Sequence, residues 1–331
     1  MIIFKNIKIK IMNTIKVSVL VPVYGVEKYI ERCAISLFEQ TMKTGIEYIF
    51  VNDCTKDKSI IILQNILENY PERKPFVKII NHETNQGLAS ARNTGLDNAS
   101  GEYICIVDAD DYIDLKMLQI LYEQSIKTDA DIVICNSLWQ HEEKTFQKSI
   151  KKRNTKQEYL TDILDRTSSP AWWGRLYKRE IIEKNHIRLP AGFGYGEDYT
   201  TVPIVLYYAD KIELVNEHLY HYVQYNNNSY TRQKNPEYIN ILKECVQLLE
   251  NFFEDKELVY KSALNRGKFN LNMLFLRTYR NEWQKKGFNM FPDVNNKEYY
   301  KTLNIWRKCI YKLAASNQFR LANVLLKIGY L

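Results

Sequence analysis

The sequence predicts an α/β protein: a mixed, mainly parallel sheet flanked by helices, followed by a helical C-terminal region. Three observations predict it. From Lys16 to about residue 136, short apolar runs alternate with segments of helical period, the pattern of a parallel sheet covered on both faces. Apolar runs return at 211–215 and 219–225, so the same sheet resumes after a polar interruption. Beyond Pro236 the apolar spacing is helical almost to the end.

Taken in order, Val17 to Val23 reads as the first strand, and Val26 to Gln40 has helical periodicity. Tyr48 to Asn52 is the second strand, with a helix through Ser59 to Tyr70. Val77 to Asn81 is the third, Ala89 to Asn98 a helix, and Tyr103 to Val107 the fourth. Leu115 to Thr128 is another helix and Asp131 to Asn136 another strand. His141 to Glu158 is polar and Lys-rich, as an exposed hairpin or loop would be. The expected division is a catalytic α/β domain over 1–232 and an α-helical region over 233–331. Within the first, 16–136 forms the nucleotide-binding part and 159–232 the acceptor part.

At 331 residues and 45% hydrophobic composition, the chain can bury one large core or two modest ones. Charged residues interrupt every candidate run of the ~20 apolar residues that a spanning helix needs. The N-terminal MIIFKNIKIKIMNTIK lacks a continuous apolar core and a small-residue cleavage site, so no signal peptide is expected. Met12 is an alternative start, which would make the first eleven residues an extension or an extra edge strand. Six scattered cysteines without a C-x-x-C pair point to thiols in a reducing cytoplasm rather than to zinc. The net charge of +7 is uneven: Lys301 to Leu331 holds six basic residues and no acidic one. That concentration favours an anionic partner. Nucleic acid is not expected as a partner, and a homo-oligomer is left open.

In an open parallel sheet, ligands bind beyond the carboxyl ends of the strands. Three strands here end there in polar clusters: Pro22-Val23-Tyr24 with Glu27, Asn52-Asp53, and Asp108-Ala109-Asp110-Asp111. Each alone reads equally well as a turn or helix cap; together they describe a site. Asp108 and Asp110 supply oxygen ligands suited to a hard divalent cation. A calcium loop of the EF-hand type is excluded, because Ile113 stands where that loop needs Gly and Gln119 where it needs Glu.

The segments "VSVLVPVYGVEKYIERCAISLFEQ", "YIFVNDCTKDKS" and "NQGLASARNTGLDNASGEYICIVDADD", in that order, resemble family 2 glycosyltransferases of the GT-A fold, a Rossmann-like nucleotide-binding architecture. The resemblance runs from about Val17 to Asn136. It implies that Pro22, Val23, Tyr24 and Glu27 line the nucleoside pocket and that Asp53 reads the uracil ring. It places Gly87 and Arg92 in the motif that closes over base and phosphates. Asp108 falls near the ribose and Asp110 on a Mn²⁺ or Mg²⁺ ion, as the two carboxylates of a D-x-D motif. Downstream, Glu197-Asp198 resembles the family's E-D motif, which makes Asp198 the general base and Glu197 its supporting neighbour; the alternative is a pair of N-terminal helix acids. Gly192, Gly194 and Gly196 do not complete a dinucleotide fingerprint, since Glu197 occupies its last position.

Trp172 and Trp173 are candidates to stack on a sugar, with core packing the alternative for at least one. "QYNNNSYTR" looks like a loop that folds over the diphosphate, with Arg232 a candidate cation. His218 and His221 are more readily packed or exposed than metal-bound. Basic amphipathic helices near the C-terminus suit either a bundle or peripheral contact with an anionic membrane. The expected activity is therefore inverting transfer of a sugar from a UDP-sugar donor to a hydroxyl of a glycan or lipid-linked acceptor in surface-polysaccharide biosynthesis, on the cytoplasmic face of the membrane. The rivals are a nucleotidyltransferase, which lacks here its Gly- and Arg-rich phosphate loop, and an inactive nucleotide-sugar-binding scaffold, which would have no reason to keep Asp108, Asp110 and Asp198.

Overall fold

The computed structural model describes residues 14–226, 235–295 and 297–328, so the N-terminal extension and Arg232 lie outside the described residues. The chain divides into two compact units, Met1–Lys156 with Ala171–Arg232, and Gln157–Pro170 with Gln233–Leu331.

Elements run in the order β1 (Val17–Val23), α1 (Ile30–Phe38), β2 (Ile46–Asn52), α2 (Ser59–Leu67), β3 (Val77–Asn81), α3 (Leu88–Asp97), β4 (Tyr103–Ile106), β5 (Tyr112–Ile113), α4 (Met117–Thr128), β6 (Ile132–Gln140) and β7 (Thr145–Lys148). Next come α5 (Lys156–Leu164), β8 (Arg175–Lys178), α6 (Arg179–Lys184), α7 (Glu197–Tyr208) and β9 (Ile212–Val223). The strands form one sheet in the order β3-β2-β1-β4-β8-β6-β9-β5, with β7 hairpinned onto β6. The first four in that order are mutually parallel. β8 runs antiparallel to both β4 and β6, and β5 antiparallel to β9.

β1 lies at the centre of the parallel part, which is why its sequence is almost wholly apolar rather than alternating, with buried Ser18 satisfied by Glu47 of β2. Val17, Val19, Val21 and Val23 pack with Tyr48 and Phe50 of β2 and with Ile30, Cys33, Leu37 and Phe38 of α1. The chain steps from β1 to β2 to β3 in one direction, then returns to β4 on the other side of β1. This reversal opens a crevice at the carboxyl ends of β1 and β4, where Tyr24, Asp53 and Asp108 emerge.

Three features differ from the sequence expectation. The two runs at 211–215 and 219–225 are a single strand, β9, whose pairing with β6 jumps from Cys135–Val215 to Asn136–His218. The polar interruption is a bulge, tied by Asn136 Nδ2 donating to Asn216 Oδ1 at 3.0 Å. β5 and β8 are too short to show a period. Residues 159–170, expected in the acceptor part, group with the helical unit. There α5 buries Tyr159, Leu160, Ile163 and Leu164, and Asn270 donates to the Asp165 carbonyl at 2.7 Å. Chain order placed this segment with the sheet; its apolar face places it with the helices.

The helical unit continues with α8 (Tyr238–Phe252), α9 (Leu258–Thr278), α10 (Asn281–Phe288), α11 (Lys297–Thr302), α12 (Ile305–Ala315) and α13 (Phe319–Ile328). α13 buries Ala322 and Leu326 but leaves Leu321, Val324 and Ile328 exposed, flanked by exposed Arg320 and Lys327. On α12, Ile305 and Trp306 are likewise exposed. Among the described residues, no helix is long and apolar enough to cross a membrane.

Candidate active site

The site is organised around one buried arginine. Gly87 precedes α3 with a φ of 86°, a left-handed conformation that suits glycine, and Arg92 lies in the second turn of that helix. Gly196 precedes α7 with the same φ of 86°, so Glu197 and Asp198 open the first turn, where the helix dipole favours acids. Arg92 Nη1 reaches Asp198 Oδ1 at 2.6 Å and Glu197 Oε1 at 2.9 Å, while Nη2 reaches Asp108 Oδ1 at 2.8 Å. Its side chain is 2% exposed, whereas those of Asp108 and Asp198 are each 22% exposed and that of Glu197 is 7% exposed. The carboxylates of the D-x-D and E-D motifs are thus brought together, and two of the three open toward solvent.

One guanidinium cannot neutralise three carboxylates, and Glu197 yields. Burial and then the Asp198 charge raise its pKa to about 8, and it makes a hydrogen bond to Asp198. Burial also pushes Asp198 up, but the Arg92 charge opposes the shift, aided by that bond and by the Trp172 backbone N–H. The arrangement suits a base that must be ionised beside an acid that need not be.

The aspartates of "CIVDADDYID" divide into separate tasks. Asp111 is fully buried and accepts from the Tyr220 hydroxyl at 2.7 Å and the Val223 N–H at 2.7 Å, so it anchors β9 rather than any ligand. Asp114 accepts from the Lys116 N–H at 2.9 Å ahead of α4. Asp108 pairs with Arg92. Asp110 has no cationic ion-pair partner among the described residues; Asn226 Nδ2 donates to its Oδ2 at 2.8 Å. Burial and then Asp108 raise Asp110 to about 6. A carboxyl destabilised in this way gains from an added cation, and its oxygen donors suit Mg²⁺ or Mn²⁺ better than zinc. Among the described residues, no set of three or more His, Cys, Asp or Glu is arranged to hold a metal ion, so these carboxylates would be the protein's share of a coordination shell.

Asp53 is buried. Its Oδ1 accepts from the Gln86 N–H at 2.8 Å and lies 2.8 Å from His82 Nδ1, and its Oδ2 accepts from the Gly87 N–H at 2.8 Å. It therefore pins the loop that leads into α3, with one Oδ2 lone pair uncommitted. Val23 is buried and contributes its carbonyl, which accepts from the Asp53 N–H at 3.1 Å. Pro22 is half-buried and Tyr24 is exposed. Glu27 Oε2 accepts from the Lys58 N–H at 3.1 Å, joining the loop after β1 to the start of α2. Arg92, in the motif expected to close over base and phosphates, has its guanidinium engaged by the carboxylate cluster.

Trp172 fills the core, while Trp173 is half-buried and stacks on Tyr220 with ring centroids 4.6 Å apart. His221 stacks on Tyr112 at 4.2 Å and His218 pairs with Ser149, so both have packing partners rather than a metal-site geometry. Sequence reasoning missed His82, Asn93 and Tyr220. His82 was within reach of inference, since it follows Asn81 at the same sheet edge where Asp53 follows Asn52, and those asparagines are in register. Asn93 exchanges two hydrogen bonds with the Leu189 backbone at 2.8 and 2.9 Å, holding the approach to α7 against α3.

The fold and this cluster define a GT-A protein, and residues 18–186 match the family model "Glycosyl transferase family 2". The chain belongs to that family. It is 36% identical over 223 residues to the glycosyltransferase EpsJ of Bacillus subtilis, covering 65% of this chain and 62% of EpsJ, so the match leaves over a third of that relative unspanned. It is 31% identical to the glycosyltransferase YibD of Escherichia coli over 265 residues, 75% of each chain. The crystal structure of Staphylococcus aureus TarS 1–349 in complex with UDP-GlcNAc superposes with a TM-score of 0.71 over 95% of this chain and 91% of that one, at 20% identity. TarS is a poly(ribitol-phosphate) beta-N-acetylglucosaminyltransferase.

Proposed function

We propose that this chain transfers a sugar from a uridine-diphosphate donor to a hydroxyl of a glycan or lipid-linked glycan, with inversion at the anomeric carbon. The observation that carries the reading is the meeting of the D-x-D and E-D carboxylates on Arg92 at the mouth of the β1–β4 crevice. Asp198 accepts the proton of the acceptor hydroxyl as its oxygen bonds to the anomeric carbon. The bond from that carbon to the diphosphate oxygen breaks on the opposite face, and the electron pair leaves with the nucleotide. Glu197 holds Asp198 in place, Asp53 and the loop at Gly87 frame the base, and Asp108 faces the ribose. A divalent ion held by Asp110, with Asp108 beside it, would supply Lewis-acid stabilisation of the departing diphosphate. The UDP-GlcNAc bound by TarS, a protein of the same fold, supports the donor class.

The test is release of nucleotide from a panel of nucleotide sugars by the purified chain, with Mn²⁺, with EDTA and as Asp110→Ala. Slow metal-dependent release from one donor, reduced about a hundredfold or more by Asp110→Ala, is the expected result. Metal-independent release, or full activity in the variant, would remove Asp110 from the chemistry.

The exposed apolar stripe of α13, with Arg320 and Lys327 beside it, suits peripheral attachment to an anionic leaflet on the cytoplasmic side, where a lipid-linked acceptor is presented. Sedimentation with vesicles containing anionic lipid is expected to carry the protein down at low salt and release it at high salt. Equal recovery with neutral vesicles would refute it.

A further inference from the structure

The cluster on Arg92 leaves open which cation meets the donor's phosphates, and a different arginine answers. Arg32, on α1, is half-buried and stands over the Tyr112 ring with its guanidinium carbon 4.2 Å from the centroid. Nη1 donates to the Tyr225 hydroxyl at 2.5 Å, and Nη2 lies 3.5 Å from the Asp110 backbone carbonyl. Its Nε is buried with no acceptor among the described residues. The described residues include every Asp and Glu of the chain, and none forms an ion pair with Arg32. Arg92 is saturated by three carboxylates; Arg32 keeps its charge unpaired next to the D-x-D motif.

A half-buried arginine that no carboxylate pairs directly keeps charge to offer an anionic ligand, although Asp110 acts on it at longer range. Two tyrosine rings hold this one by cation–π contact, which fixes the planar fork before any ligand arrives. A fork of that kind matches phosphate oxygens in paired hydrogen bonds, which an ammonium group cannot reproduce. We infer that Arg32 grips the diphosphate of the nucleotide donor and of the nucleoside diphosphate product. The inference rests on the nucleotide-sugar reading above and adds a residue to it: the phosphate cation comes from α1 and not from the α3 motif.

The experiment is calorimetric titration of UDP and of uridine, with Mn²⁺ present, into the wild-type chain, Arg32→Ala and Arg32→Lys. Arg32→Ala is expected to weaken UDP roughly ten- to a hundredfold, the loss of one or two charge-assisted hydrogen bonds, while uridine changes less than about twofold. Arg32→Lys, which keeps the charge but not the fork, is expected to fall between, and it carries the test alone if the alanine variant does not fold. Equal weakening of UDP and uridine would reduce Arg32 to a support for Tyr112 and overturn the inference, as would unchanged UDP affinity. A wild-type chain that binds neither compound would instead overturn the nucleotide-sugar reading, and the inference with it.

Discussion

Arg92→Met is expected to destabilise the sheet unit by about 3–5 kcal/mol, the usual cost of leaving a buried charge cluster without its partner. Methionine fills similar space on α3 but returns none of the three contacts that Arg92 makes to Asp108, Glu197 and Asp198. Chemical denaturation followed by tryptophan fluorescence reads this unit through Trp139, Trp172 and Trp173. The deficit should also shrink on acidification. With the guanidinium gone, the largest influence opposing the burial that raises Asp198 is lost. The folded variant then holds more protons than the unfolded chain, and its stability rises as pH falls from 8 toward 5. A loss under about 1 kcal/mol, the range of an exposed ion pair, would mean that the carboxylates are not held by Arg92.

Asp198→Asn is expected to slow nucleotide release from the donor by about 10²–10⁴-fold while leaving UDP affinity within about twofold. The amide keeps an oxygen for Arg92 and keeps the shape of the α7 first turn, but it cannot take a proton. The contrast with Glu197 is built into the geometry. Glu197 is nearly sealed and shifted toward its neutral form, while Asp198 is the more open of the two. A rate within tenfold of wild type would return the E-D pair to the role of helix-terminal acids.

The parts of this protein legible in its sequence are those whose cause is local. β1 is readable because a strand buried on both faces is nearly all apolar, and Asp108 and Asp110 because they fall at the sheet edge where two other strands also end in polar clusters. The helix that begins at Glu197 is readable from two acids ahead of an apolar run. What could not be read depends on distant partners. Arg92 meets Asp198 across 106 positions, and no period in the chain records that encounter. β8 has four residues, and its place between β4 and β6 is fixed by pairing alone. α5 follows the polar hairpin in sequence but buries its apolar face in the helical unit. Arg32 is one charge on an amphipathic helix in the sequence, and only the fold brings Tyr112 and Tyr225 around it.

The division of labour among Asp108, Asp110, Asp111 and Asp114 bears on how natural variation in this segment should be interpreted. Asp111 holds β9 through Tyr220 and Val223, so a variant there loses activity by lowering the amount of folded protein, as destabilised proteins do in cells. On the metal-binding role proposed for Asp110, a variant there removes chemistry while sparing the hold on β9. Selection acting on the transferase's product would register both as the same phenotype, although one lineage could recover through a stabilising change anywhere in the sheet and the other, on the proposed role, only by restoring a ligand at that position.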